Sequence, residues 1–143
     1  MTGARLDPAP RVLGAWIMIA AAETGHGVLR RWLLEPLVGD ATARRLCVFS
    51  GAAIVFGVAW LAADWMGLRT RRGLLGAGLA WVVLTLFFEV AAGRLLGLSW
   101  SRIGADYDIA QGGLMPVGLV AMGFSPLLAR RLRDRRPILE AQS

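Results

Sequence analysis

The sequence predicts an all-α membrane protein, a polytopic bundle of four transmembrane helices. Hydrophobic residues occupy 56% of the 143 positions, and the mean hydropathy is +0.55. The basic residues lie in the breaks between long apolar segments and form no continuous stripe. A chain of this length and apolarity is too hydrophobic for an ordinary water-soluble domain, so we expect its surroundings to be the lipid bilayer.

Four apolar segments are long enough to cross a hydrocarbon layer of about 30 Å at about 1.5 Å per helical residue. The first can continue as helix through Leu34, because no residue breaks the pattern before Pro36. The last is the shortest and contains Pro116 and Pro126, so we expect a kink or a short span there. The four segments, which form a membrane domain at 12–129, are residues 12–29, 46–66, 74–93 and 113–129.

The distribution of arginine predicts the orientation. With four spans, the N-terminal tail (1–11), the second loop and the C-terminal tail (130–143) share one side of the membrane. All sixteen basic residues are arginine, and ten of them lie on that side against six on the other. The positive-inside rule therefore places both termini in the cytoplasm and makes this a multi-pass protein.

A secretory signal peptide is the alternative to a first span, since Arg5 precedes an apolar stretch that ends in small residues at 20–22. Asp7, Pro8 and Pro10 fall in the would-be basic region, and no soluble domain follows. These features favour a span over a cleaved signal.

The basic charge points to lipid and not to nucleic acid. The isoelectric point is near 11.4, but the arginines are divided among loops and tails instead of forming the basic face of a nucleic-acid-binding protein. The run from Arg130 to Arg136 suits an anionic leaflet, so anionic lipid is a candidate partner of the C-terminal tail. Cys47 is the single cysteine, which excludes an intramolecular disulfide.

Small residues four positions apart predict where helices pack closely, because they let two backbones approach one another. We expect such faces to lie inside the bundle. The pairs are Ala21 with Gly25, Ala53 with Gly57, and Gly76 with Ala80.

Three acidic residues fall inside the predicted spans, where an acidic side chain costs about 2.5–3.5 kcal/mol near the helix centre. Asp64 lies near the end of its span, so we expect it to reach water or Arg69. Glu23 and Glu89 fall in the non-cytoplasmic half of the first and third spans. Each of these two carboxyls therefore needs a partner or a function that offsets the cost of placing it inside the membrane.

Polar residues gather around Glu23 and Glu89. Glu23, His26 and Arg30 follow one another along one helical face, and Thr85 lies one turn before Glu89, where its hydroxyl is placed to donate. The predicted buried polar cluster consists of Glu23, His26, Arg30, Glu89 and Arg94. The loops on the same side form a predicted outer mouth with Asp40, Arg44, Arg102, Asp106, Tyr107 and Asp108.

The two halves of the chain resemble each other at an offset of 66 residues. Glu23 then aligns with Glu89, and Asp40 with Asp106. Nine such identities occur, where composition alone gives roughly five. A parallel duplication of a two-helix unit would bring the two glutamates face to face, where they would share a proton or bind a cation.

Several short motifs lie at the same predicted end of the helices. They are Phe88-Glu89, Ser99-Trp100-Ser101-Arg102, Asp106-Tyr107, His26-Gly27-Val28-Leu29-Arg30 and Gly39-Asp40. With these motifs, about a third of the chain resembles small four-helix bacterial membrane proteins of uncharacterised activity. The resemblance implies the architecture and a location in the bacterial inner (plasma) membrane, and it carries over no activity.

Three functions fit these residues. An accessory or scaffold subunit, favoured first, would use buried ion pairs to fix helix register, Glu23 with an arginine and Glu89 with Arg94 or Arg102. A proton- or cation-linked transporter or channel would use Glu23 and Glu89 as its binding groups, and four helices would then need a homo-oligomer to enclose a path.

The third function is metal binding. Glu23 and His26 have the Glu-x-x-His spacing that places two ligands on one helical face, and Glu89 would supply a third oxygen. The chain shows no nucleotide-binding glycine loop, no cysteine pair and no Ser-His-Asp motif, so an enzyme is the less favoured class, and the sequence leaves open whether a cofactor is bound.

Overall fold

The computed structural model describes residues 7–140, so residues 1–6 and 141–143 of the predicted tails lie outside the described part. All regular secondary structure within 7–140 is helical, as the sequence predicts. The helices are α1 (Ala9–Leu29), α2 (Glu35–Val38), α3 (Asp40–Met66), α4 (Arg71–Leu95), α5 (Trp100–Ala105) and α6 (Met115–Glu140). A π-helical turn joins α1 to α2 at Arg30–Leu34, and a 3₁₀ turn precedes α6 at Ile109–Gln111.

The first predicted span continues without a break to Val38. Pro36 cannot donate to the carbonyl four residues back, and its ring crowds that carbonyl. The turn before it therefore widens, and the amide of Glu35 donates to the carbonyl of Arg30, five residues back. Gly39 ends this long helix at a φ of 81°, a conformation that favours glycine.

Three helical stretches are long and apolar enough to cross a membrane: Ala9–Val38, Asp40–Met66 and Arg71–Leu95. Helix α6 is not among them. It begins two residues later than the predicted fourth span, and Arg130 follows its first residue after about 22 Å of helix, which is shorter than a hydrocarbon layer of about 30 Å. The helix continues across Pro126 without interruption.

The interior of the protein is built from small side chains, and many large ones lie outside. Seven of the fourteen buried hydrophobic core residues are alanines within α3 and the flanking helices, while Leu61, Leu79 and Phe87 are each more than 60% exposed. Apolar exterior and small interior residues are typical of helices that pack inside lipid, where backbone proximity replaces the hydrophobic effect as the source of contact energy.

Helices α4 and α6 cross with their backbones in close contact. A Cβ atom placed on Gly78 would collide with the carbonyl of Gly123, so the two backbones touch there. The pairs predicted from small-residue spacing do not mark such crossings, because a Cβ on Gly25, Gly57 or Gly76 would meet nothing within 4 Å. The spacing of small residues identifies a face of one helix, but it does not identify which other helix packs closely against that face.

Trp81 links the start of α1 to the middle of α4. Its side chain is fully buried, and its indole N–H donates to the carbonyl of Val12 at 2.9 Å. At the same end of the molecule, Arg11 donates to the carbonyl of Trp65 at the end of α3. These bonds fix α1 against both neighbouring helices and leave its second half free to line a cavity.

Candidate functional site

A cavity of about 760 Å³ lies between α1, α3, α4 and the start of α6. Its apolar part is lined by side chains such as Trp16, Ile19, Val55, Leu119 and Met122. Its polar part contains Glu23, His26 and Glu89, and its opening is lined by the arginines Arg30, Arg31, Arg44 and Arg45 together with Asp106. Both glutamates singled out in the sequence therefore line one space.

Glu23 reaches the cavity from α1 by lying against a glycine of α3. A Cβ atom on Gly51 would stand 3.1 Å from Oε2 and 3.3 Å from Oε1 of Glu23. Gly51 is buried, so a methyl group at this position would crowd the carboxyl and require Glu23 to shift. The other oxygen, Oε1, is buried and has no hydrogen-bond partner among the described residues.

Glu23, His26 and Ser50 form a chain of polar contacts. His26 Nδ1 lies 3.4 Å from Glu23 Oε2, and Nε2 lies 2.9 Å from Ser50 Oγ. The Ser50 hydroxyl donates to the carbonyl of Cys47, so it accepts from Nε2 of His26. A single proton then lies between Nδ1 of His26 and Oε2 of Glu23, bound either to the carboxyl or to the ring.

Glu23, His26 and Ser50 are the residue types of a hydrolase triad. The sequence did not reveal this set, because Ser50 lies 24 residues from His26. Ser50 is inside α3, where the helix already uses the backbone N–H groups. The backbone amides around Ser50 are therefore not free to hold a developing oxyanion, as acyl transfer requires. We interpret the chain as a means of holding Glu23 and His26 in place.

Glu89 lines the cavity from α4 and has no ion pair or hydrogen bond with a described side chain. The expected donor, Thr85, is occupied elsewhere: its hydroxyl accepts from the indole N–H of Trp16 at 3.1 Å and lies 3.4 Å from the sulfur of Met122. Glu23 and Arg30 are near enough for their charges to act on Glu89. Its carboxyl is left available inside the cavity.

Two aspartates and three arginines form a network at the cavity opening, called here the mouth network. Asp40 contacts Arg30 at 3.3 Å, Arg102 at 3.1 Å and Arg44. Asp106 contacts Arg44 at 2.8 Å and Arg102 at 3.3 Å. The first residue of α3 is thereby tied to the π-helical turn and to α5.

A second network, called the far-end network, lies at the opposite end of the helices. Asp64 contacts Arg130 at 2.7 Å and Arg133 at 2.6 Å, and Arg130 also pairs with Asp134. The expected contact between Asp64 and Arg69 is not formed. Along α3, Arg44 and Asp64 are separated by about 30 Å, which equals the thickness of a hydrocarbon layer.

Other predicted site residues lie apart from the cavity. Arg94 is exposed; its guanidinium donates to the carbonyl of Leu98 and lies 4.9 Å from the ring centre of Trp100. The interpretation of Arg94 as a cluster member therefore does not hold, because its side chain turns back along the end of α4. Asp108 accepts from the backbone amides of Ala110 and Gln111.

Tyr107 lies beside the mouth network. Its hydroxyl is buried and has no hydrogen-bond partner among the described residues. Burial raises the pKa of Tyr107 above its usual value, and the carboxylates of Glu89 and Asp106 raise the pKa further. Burial and these two charges therefore favour the protonated hydroxyl.

The described residues contain no group of three His, Cys, Asp or Glu side chains able to hold a metal ion. Glu23 and His26 contact each other, and Glu89 does not complete a set with them.

Arg45 and Gly51 are cavity residues that the sequence did not single out. Arg45 donates to the carbonyls of Gln111 and Gly112, and only the fold brings these atoms together.

No protein-family model, curated protein or solved structure matches the chain.

Proposed function

We propose that this chain is a small integral membrane protein that binds a cationic ligand in the cavity and moves it as a proton- or cation-linked transporter. The observation that carries the proposal is the carboxyl of Glu89, which lines the cavity without a partner among the described side chains. Ionisable groups inside membrane-spanning helices are costly and commonly serve substrate or ion pathways. Glu23 is the second carboxyl of the site and shares a proton with His26.

The assignment of the arginines supports transport over a purely structural role for Glu89. The scaffold hypothesis pairs Glu89 with Arg94 or Arg102. Arg102 is held by Asp40 and Asp106, and Arg94 lies over Trp100. Since both arginines have other partners, a ligand cation or a proton is left to neutralise Glu89.

The proposed arrangement in the membrane has four spans, with α6 as the short fourth one, and both termini in the cytoplasm of a bacterial inner membrane. Ten arginines against six support this orientation. The distance between the mouth and far-end networks supports a hydrocarbon layer between them. The cavity then opens on the non-cytoplasmic side, and a homo-oligomer supplies the further wall that a complete path requires.

Transport is tested in proteoliposomes loaded with a pH-sensitive dye. A gradient of tetramethylammonium is applied, and we expect movement of the cation to drive a change in internal pH. Glu89→Gln removes the negative charge at similar volume, so the flux should fall at least tenfold while the protein stays folded. Asp134→Asn, at the far end, is the control and should retain the flux.

Equal flux through Glu89→Gln and the unsubstituted protein would reject this function. Glu23→Gln distinguishes the roles of the two carboxyls. It leaves the ligand carboxyl of Glu89 in place but removes the shared proton site with His26. We expect it to keep tetramethylammonium binding and to lose the coupling to internal pH.

A role as an accessory or scaffold subunit is the second candidate, and the two ion-pair networks favour it. Charges at both ends tie α3 to the π-helical turn after α1, to α5 and to α6 through Asp40 and Asp64. Under this hypothesis, Glu23→Gln and Glu89→Gln lower the thermal stability or dissociate a complex that copurifies in mild detergent. A stable and fully assembled double variant rejects it.

A further inference from the structure

An apolar groove of about 510 Å³ runs along the outside of the molecule between α1 and α4. Its lining contains no charged residue and consists of Trp16, Ile17, Ala20, Ala21, Thr24 and Phe88. The one hydroxyl of this set, on Thr24, donates to the carbonyl of Ala20 at 2.7 Å. The groove therefore offers hydrocarbon contact and no free polar group.

The groove adjoins the cavity. Trp16, Ala20, Thr24 and Phe88 line both spaces, and Glu89 directly follows Phe88 in α4. The rings of Trp16 and Phe88 meet edge to face, with centroids 6.1 Å apart. A ligand that crosses this boundary passes from apolar surface to aromatic rings and then to a carboxyl.

The opening of the cavity is a poor route for a cation. The mouth network has three arginines and two aspartates, and Arg31 and Arg45 add two positive charges at the opening without an acidic partner among the described residues. A cation approaching from water meets this positive field, which repels it. The groove carries no charge and opens toward the lipid.

We infer that the ligand of the Glu89 cavity is an amphiphilic organic cation that enters from the membrane through the α1–α4 groove, with its ammonium group at Glu89 and its hydrocarbon chain along Trp16, Ala21 and Phe88. This inference rests on the proposed function, and it adds the ligand class and the route. Charge complementarity selects the cationic end, since Glu89 is the available carboxyl. The uncharged groove selects the hydrocarbon end, because its lining offers van der Waals contact to a chain and contains no charged group. Aromatic faces at the boundary add attraction for a cation.

Two ammonium probes separate the parts of this inference. Tetramethylammonium has the charge without a chain, and decyltrimethylammonium adds a hydrocarbon chain to the same group. Binding of each radiolabelled probe is measured on full-length protein in lipid nanodiscs, with empty nanodiscs subtracted. We expect decyltrimethylammonium to bind at least tenfold more tightly than tetramethylammonium, and Glu89→Gln to weaken both at least tenfold.

Ala21→Phe tests the route. Ala21 is exposed and lines the groove but not the cavity, so a phenyl ring there should block the chain and leave the carboxyl untouched. We expect the affinity for decyltrimethylammonium to fall to that of tetramethylammonium, whose own affinity stays unchanged. Ala53→Phe, on an exposed position of α3 outside the groove, is the matched control and should change neither.

The outcomes distinguish the inference from the function on which it rests. If Glu89→Gln weakens neither probe, both the proposed function and the inference fail. If both probes depend on Glu89 but bind equally tightly, the inference fails and the function stands. The inference also fails, and the function stands, if Ala21→Phe leaves the affinity for decyltrimethylammonium unchanged. Circular dichroism of each variant identifies misfolded protein, and Ala21→Leu then replaces a Phe variant that does not fold.

Discussion

The carboxyl of Glu23 occupies the space that a side chain on Gly51 would fill. A Cβ atom at that position would lie 3.1 Å from Oε2 and 3.3 Å from Oε1, which is tighter than most Cβ contacts in proteins. The glycine on α3 therefore gives the carboxyl on α1 room to lie against α3, beside His26. A methyl group at Gly51 would require this carboxyl to shift by a few tenths of an ångström.

Gly51→Ala should weaken the folded state through this contact. Replacing glycine with alanine inside a helix usually stabilises it by about 1 kcal/mol, but crowding in a packed interior costs about 1–3 kcal/mol. We expect Gly51→Ala to be less stable than Gly57→Ala by about 1–2 kcal/mol, because a Cβ on Gly57 meets nothing within 4 Å. Thermal unfolding in detergent measures the difference, and Glu23→Ala should abolish it.

Gly78→Ala should separate α4 from α6. The added methyl group would collide with the backbone carbonyl of Gly123, which has no rotamer by which to move aside. We expect a loss of about 3 kcal/mol, at the upper end of the range for crowding. Gly76→Ala, on the same helix with open space around it, is the control. Equal unfolding temperatures for the two variants would contradict the observed crossing.

Tyr107 reports directly on Glu89. It is the only tyrosine in the chain, so absorbance at alkaline pH follows its ionisation alone. Burial and the carboxylates of Glu89 and Asp106 raise the pKa of Tyr107, and we expect its midpoint above the ordinary value of about 10. Glu89→Gln should lower that midpoint, whereas Asp134→Asn should not. A midpoint that is the same in all three proteins would refute this proximity.

The same pKa shift predicts how stability depends on pH. The folded pKa of Tyr107 lies above its value in the unfolded chain, so the unfolded state loses the proton first. The contribution of the neutral hydroxyl to stability is complete below about pH 10 and disappears as pH rises through the folded pKa. Tyr107→Phe should remove this alkaline loss, as measured by unfolding between neutral and strongly alkaline pH.

Asp40→Asn should loosen the cavity opening. Asp40 is the acceptor shared by Arg30, Arg44 and Arg102, and without its charge the three guanidinium groups repel one another. The aspartate is partly exposed, so we expect a loss on the order of 1 kcal/mol, smaller at high salt. Asp134→Asn breaks one exposed pair with Arg130 and should cost less. The stability that each variant loses is measured in low and in high salt. The network predicts a larger loss for Asp40→Asn than for Asp134→Asn, and a smaller loss for Asp40→Asn at high salt.

The amino-acid order alone determined the helical class, the approximate bounds of the long helices and the choice of Glu23 and Glu89 as the residues to explain. These features depend on composition and on the length of apolar segments, which are local properties. The fourth span is the weakest of these predictions. Gly113 lies in the loop before α6, where its amide donates to the carbonyl of Asp108, and α6 begins at Met115, whose amide donates to the carbonyl of Asp106.

Only the tertiary structure decided which charges find partners. The sequence offered arginines to both glutamates, whereas the fold gives Arg30, Arg44 and Arg102 to the aspartates Asp40 and Asp106. Ion pairing depends on distances of a few ångströms between side chains on different helices, and residue spacing along one chain does not fix those distances. The free carboxyl of Glu89 and the groove beside it are consequences of how the helices pack.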